Sequence, residues 1–101
     1  MQYSLHPAVQ KFIVNLSPEL QTKAMRQLSL LEKFGRLLPP PDSKKISKGL
    51  FELRVVGRVQ VRLLYGFVGD MAVVVHAFVK KTQKIPRKDL ELAHKRFSEV
   101  A

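Results

Sequence analysis

The chain has 101 residues and no cysteine, which excludes disulfides, thiol catalysis and zinc-thiolate sites and suits a reducing compartment. Its 46% hydrophobic and 26% charged residues exclude a disordered chain, and this length predicts one domain, 1–101, with a single modest core. Eighteen Lys and Arg against eight acids leave +10, a balance that favours a polyanionic partner, whether nucleic acid or an acidic protein.

In chain order, Met1 to Leu5 predicts a short first strand, and Pro7 suits the first turn of a helix with Val9, Phe12, Ile13 and Leu16 on its apolar face. Ser17-Pro18-Glu19 restarts the pattern with a capping residue, a proline at the first helical position and an acid near the positive end of the helix. Leu20, Ala24, Leu28, Leu31, Phe34 and Leu38 then mark one face of a long helix, weakened at Gly35 and ended by Pro39-Pro40-Pro41. Beyond the prolines the period changes from 3.6 to 2. Leu50 to Val56 and Val59 to Tyr65 alternate, and Met71 to Val79 follows the turn signal Gly69-Asp70, so a three-strand meander is expected. Pro86 opens a final helix with Leu90, Ala93 and Phe97 on one side.

The expected architecture is α+β. Two amino-terminal antiparallel helices pack on one face of a small, mainly antiparallel sheet, which is the meander plus the amino-terminal strand, and a short carboxy-terminal helix follows. No apolar run approaches the ~20 residues of a membrane span, and the start lacks a basic-then-apolar signal pattern. A cytoplasmic protein with no membrane partner is expected.

Parity places Phe51, Leu53 and Val55 on one face of their strand and Glu52 and Arg54 on the other. On the next strand Val61, Leu63 and Tyr65 oppose Gln60, Arg62 and Leu64. With residues 57 to 59 as the connection, Arg54 sits directly opposite Arg62, and both are expected on an uncovered face. Like charges so placed are destabilising unless something offsets them: Glu52 diagonally, or a phosphate held by two guanidinium forks. His76, Phe78 and Lys80 share a face of the third run, and that face would bring them to the same concavity. The chain then leaves its core directly into cations: HAFVKKTQKIPRKD, His76 to Asp89, holds Lys80, Lys81, Lys84, Arg87 and Lys88.

Other chemistries lack residues. His6, His76 and His94 are scattered without carboxylates at ligand spacing, and no phosphate-binding glycine loop or serine nucleophile motif occurs. No metal and no cofactor is expected.

Four segments carry a family likeness: KISKGLFELR (Lys45 to Arg54), VRLLY (Val61 to Tyr65), HAFVKKTQKIP (His76 to Pro86) and ELAHKR (Glu91 to Arg96). In order and spacing they resemble the phage-derived Gp49-like, HigB-type branch of the RelE/ParE toxin superfamily. The resemblance implies a toxin of a bacterial type II toxin–antitoxin pair. Such a toxin would cut mRNA in the ribosomal A site, touch ribosomal RNA, and be neutralised by a cognate antitoxin, in this branch often a helix-turn-helix protein. The superfamily also contains gyrase poisons, and a non-toxic phage accessory protein is a third reading. Arg54 and Arg62 align with basic active-site positions of the RelE-type nucleases, and Lys80 and Lys81 fall where the superfamily places a further basic residue. The chain departs from that pattern at Glu52, where lysine is typical, and has no tyrosine in its final helix. HigB-type members use other residues, histidines among them, so His76 joins the catalytic candidates and the general base stays open. Lys45, Lys48, Arg58, Lys84, Arg87, Lys88, Lys95 and Arg96 are the candidates for contacts with RNA and the ribosome.

RNA supplies its own nucleophile, the 2′-OH. A protein need only orient it and stabilise the extra charge of the phosphorane, which arginines can do without a metal.

Overall fold

The computed structural model describes residues 2–101. In order they form β1 (Gln2–Leu5), α1 (Pro7–Val14), α2 (Pro18–Phe34), a 3-10 turn (Gly35–Leu37), β2 (Ser43–Ser47), β3 (Leu50–Val56), β4 (Gln60–Val68), β5 (Met71–Lys80) and α3 (Arg87–Val100). Met1, part of the predicted first strand, lies outside the described residues.

The strands form one five-stranded sheet in the order β1-β5-β4-β3-β2. β1 runs parallel to β5, and the other pairings are antiparallel, so the sheet is mixed. The expected meander is β3-β4-β5. β2 was not foreseen because Ser43-Lys-Lys-Ile-Ser47 carries a single aliphatic residue and shows no alternation. It survives as an edge strand, where exposed Lys44 and Lys45 discourage pairing with another chain.

Each helix starts and stops for local reasons. His6 accepts a hydrogen bond from the Ala8 amide at 3.0 Å, and Ser17 accepts one from the Leu20 amide at 3.3 Å, with Pro7 and Pro18 next in line. α2 ends at Phe34 because Gly35 turns left-handed (φ 52°) and its amide closes on the Leu31 carbonyl. Leu38 therefore reaches the core from the following loop and not from the helix face, as its spacing had predicted.

The main core lies between the helical pair and one face of the sheet. Val9, Ile13, Leu20, Ala24, Leu28 and Leu31 meet Leu53, Val55, Val61, Leu63, Tyr65 and Val74. α1 lies chiefly on β5 and α2 chiefly on β3, so each helix is held by the sheet more than by its neighbour.

The expectation that helices cover a single face is corrected. α3 packs on the opposite face against β4 and β5, where Ala93 joins Leu50, Leu64, Val75 and Phe78 in a second core, with Leu90 and Phe97 against it. A register shift creates this second surface. Leu64 pairs with His76 but Tyr65 pairs with Val74, so Val75 is an extra residue in β5. The bulge puts Val75 and His76 on the same side and explains why Val-Val-Val-His-Ala-Phe-Val does not alternate.

Where α3 crosses the sheet the clearance is small. A Cβ on Gly66 would meet the Phe97 ring at 2.5 Å and the Gly49 carbonyl oxygen at 2.7 Å. Gly66→Ala should destabilise the fold by about 1–3 kcal/mol in urea melts, with partial recovery when Phe97→Leu is added. An alanine that melts like wild type would show that α3 is not seated this tightly.

Tyr65 is buried, with its hydroxyl hydrogen-bonded to Ser43. Burial raises the phenol above its ordinary value of 10.0, and the Ser43 contact pulls it partly back. The folded chain thus keeps a proton that the unfolded chain loses above pH 10. Its contribution is complete below that pH and is lost as pH rises toward the folded value. Tyr65→Phe should lower Tm at neutral pH, as Ser43 loses its partner at a cost of about 1 kcal/mol, yet flatten the decline of Tm above pH ~10. Parallel Tm-versus-pH curves for the two proteins would contradict this.

Candidate functional site

The site is built from the β3–β4 hairpin. Residues 57–59 form the connection, an odd loop, and the register pairs Arg54 with Arg62, Glu52 with Leu64 and Val56 with Gln60. The two guanidinium stems thus leave the same face of adjacent strands from directly opposed positions.

Glu52 lies between them. The residue is 2% exposed, its Oε1 accepts from Arg54 Nε at 3.1 Å, and its Oε2 lies 3.6 Å from Arg62 Nε. That second contact is too long for a hydrogen bond, and both atoms are buried with no hydrogen-bond partner among the described residues. Arg62 Nη1 donates to its neighbouring Val61 carbonyl at 3.1 Å.

The expectation that Arg62 stands on an open face is therefore corrected. Arg62 is 7% exposed, set in the central strand between Arg54 and Glu52 of β3 and Phe78 of β5, whereas the Arg54 side chain keeps 31%. Burial lowers the Arg62 pKa, Glu52 acts in the opposite direction, and Arg54 adds to the lowering. The guanidinium stays charged at any physiological pH, but its charge is poorly compensated.

Around this pair the surface is indented and basic. A cavity of about 420 Å³ is bounded by Lys23, Arg26 and Gln27 of α2 together with Asp42, Arg54 and Arg62. A second, of about 460 Å³, joins Arg62 to Lys80, Lys81 and Gln83. A third, also about 460 Å³, joins Arg54 and Glu52 to Lys44, Lys45, Lys80 and Lys84. Because Arg54, Arg62 and Lys80 are shared between them, the three read as one cleft across the end of β3, β4 and β5.

Gln27 fixes its α2 wall by donating to the Arg54 carbonyl at 2.7 Å and to Asp42 Oδ1 at 3.1 Å. Among the described residues, no three His, Asp or Glu side chains come together where they could hold a metal.

The cleft thus gathers Arg54, Arg62, Lys80, Lys81, Lys45 and Lys84 from the sequence-derived candidates. It does not gather His76. The ring shares the face of Phe78 and Lys80, as parity predicts, but lies further along β5 under α3, where Nε2 donates to Asp89 Oδ1 at 2.7 Å, Nδ1 lies 3.5 Å from Arg96 Nη1, and Phe78 stacks against it.

Nor do the remaining outer cations line it. Lys48 sits in the β2–β3 turn and Arg58 in the β3–β4 turn, while Lys88 and Lys95 are exposed on α3. Arg87 pairs with Glu91 at 3.1 Å, and Arg96 donates to the Val75 carbonyl at 2.9 Å, which ties α3 to β5.

Sequence reasoning missed Lys23, Arg26 and Lys44. The first two flank the apolar stripe of α2 at i, i+3, a signal that marks a helix edge only once the partner edge is known.

A family model, phage-derived protein Gp49-like (DUF891), matches residues 11–98. No curated protein matches the sequence. The matched stretch runs from α1 into α3 and includes every residue of the basic cleft, so the chain belongs to the phage-derived Gp49-like family, a family of RelE/HigB-type toxins.

Proposed function

We propose that the protein is the toxin of a type II toxin–antitoxin pair and acts as a ribosome-dependent, metal-independent mRNA endonuclease. The observation that carries this reading is the Arg54–Arg62 opposition at the floor of a cationic cleft. Glu52 takes the inner Nε edges and offsets only one of the two charges, so the outer edges of the two forks are left for an anion, and a phosphodiester supplies two oxygens for them. Membership of a toxin family narrows the anion to the backbone of a nucleic acid essential to the cell.

In this mechanism the 2′-OH of one nucleotide attacks the adjacent phosphorus. The bond to the 5′ oxygen breaks, leaving a 2′,3′-cyclic phosphate and a 5′-hydroxyl. The 2′ proton leaves to water, Arg54 and Arg62 take the non-bridging oxygens, whose charge grows in the transition state, and the Lys80 ammonium gives a proton to the departing 5′ oxygen and regains one from water. Lys44, Lys45, Lys81 and Lys84 hold flanking phosphates on one side, and Lys23 and Arg26 on the other. Much of the rate then comes from orientation, which fits a requirement for the ribosome to present the strand. An antitoxin of helix-turn-helix type would neutralise the toxin, its acidic segments drawn quickly to a chain of charge +10.

Expression in a susceptible bacterium, followed by primer extension on cellular mRNA, tests the reading. New 5′ ends within translated frames are expected. Intact mRNA with induction of DNA damage would contradict it and favour a gyrase poison.

The two arginines should separate by burial. Arg54→Ala is expected to lower cleavage at least 100-fold, the cost of a preorganised transition-state donor, and to remove about 1–3 kcal/mol of stability, because buried Glu52 loses its hydrogen-bonded partner. Arg62→Ala should lose cleavage and also up to about 3–5 kcal/mol of stability, because Glu52 loses a buried counter-ion. Full toxicity in either variant would contradict the assignment.

Cleavage by subsaturating toxin should fall about 50-fold or more when salt rises fourfold, if ~4 phosphate contacts are made. It should persist after chelation that leaves enough free magnesium for intact ribosomes. A salt-indifferent rate lost on chelation would contradict the cation-cluster mechanism.

A further inference from the structure

Two acids line the cleft: Asp42 on its wall, which accepts from Gln27, and Glu52, buried among the cations of the floor, whose charge opposes the ligand those cations invite. Electrostatics alone would make it a hindrance, repelling the phosphodiester and repelling the doubly charged phosphorane more strongly. A carboxylate at 2% exposure between two arginines therefore needs another role. Geometry supplies one.

We infer that Glu52 is a positioning residue, which holds the opposed guanidinium groups of Arg54 and Arg62 in place in the free protein so that their outer nitrogens meet the reacting phosphate. The inference rests on the nuclease reading above. Glu52 takes Arg54 through Nε and faces Arg62 Nε, the inner edge of each fork. Arg62 Nη1 is further fixed by the Val61 carbonyl. These contacts leave the Nη pair of Arg54 and Nη2 of Arg62 for a ligand.

Without the carboxylate, two like charges on directly paired residues would swing apart, and ordering them again would fall on the substrate. The arrangement thus accepts weaker anion binding in return for arginines already placed. The remaining charged groups facing Glu52 are cations: Lys44 is its cross-strand partner in β2, and Lys80 and Lys84 line the same cavity. No second acid competes for the role there.

Glu52→Gln keeps shape and removes charge, and three readouts then separate the possibilities. Inorganic phosphate, titrated by thermal shift on the full chain, should bind about tenfold more tightly, since one nearby negative charge is gone. The Nε–Hε NMR signal of Arg54 should exchange with water about tenfold faster, since its acceptor has lost its charge, and that of Arg62 should shift as the facing charge is removed. Single-turnover cleavage on programmed ribosomes at saturating toxin should slow at least about tenfold, even though binding is tighter.

Affinity up and rate down is the split that a merely structural residue would not give. A variant that cuts as fast as wild type at saturation, or that loses affinity and rate together, would overturn the inference. If wild type itself cuts nothing, the nuclease reading fails, and the NMR and phosphate readouts still decide whether Glu52 holds the pair. If Glu52→Gln does not fold, Glu52→Asp, which keeps the charge but falls short of both arginines, is measured in its place. It should loosen the arginine signals and slow cleavage without tightening phosphate, and equality with wild type would overturn the inference.

Discussion

Two arginines face each other across neighbouring strands, and much of the molecule is arranged so that this repulsion can be sustained. The three-residue β3–β4 connection sets the register that opposes them. Glu52 offsets part of their charge, and Gln27 anchors the backbone of Arg54 to α2. Phe78, which belongs to the second core, flanks Arg62 in the sheet and helps keep it buried, while Arg54 and Lys80 stay half-buried. A buried charge cluster of this kind is poor at stabilising a fold, since desolvation offsets most of the attraction. On the proposed reading, its place at the floor of a basic cleft gives it a different purpose: donors fixed in advance where negative charge develops in the reaction.

Stability comes from elsewhere. The helical pair and the opposite face of the sheet form a core of aliphatic side chains around Tyr65, whose ring meets Phe51 and Phe67 at centroid distances of 5.5 Å. Function and stability are thus divided between the two faces of one sheet. The division is incomplete, because α3 serves both. Its apolar residues close the second core, while the segment before it, residues 81–86, carries Lys81 and Lys84 into the cleft. The His76–Asp89 contact and the Arg96–Val75 contact tie β5 to α3 on either side of that segment, so residues outside the cleft still set its shape.

Local physics made much of this legible in the sequence. Pro18 behind Ser17, the apolar stripe Leu20-Ala24-Leu28-Leu31 and the alternation of β3 and β4 each encode an element within a few residues. The Arg54–Arg62 pairing followed from parity and an odd turn. What stayed hidden depended on distant partners. Ser43–Ser47 becomes a strand only because β3 offers its edge, and α3 crosses to the far face only because a bulge at Val75 builds an apolar surface there. Asp89 and Arg96 of α3 hold His76 away from the cleft, and Lys23 and Arg26 enter it only through the docking of α2 on β3. Non-local pairing leaves little trace in a local pattern.

The central claim is that the protein cuts RNA by aligning the strand's own 2′-oxygen with a phosphate held between two arginines. The most direct measurement places a single 2′-deoxynucleotide on the 5′ side of the scissile phosphate in an mRNA threaded through purified ribosomes, and follows cleavage and the chemistry of the new ends. The account predicts 2′,3′-cyclic phosphate and 5′-hydroxyl ends from the all-ribose message and no cleavage at the deoxy position. Continued cutting at that position, or 5′-phosphate ends from either message, would contradict it.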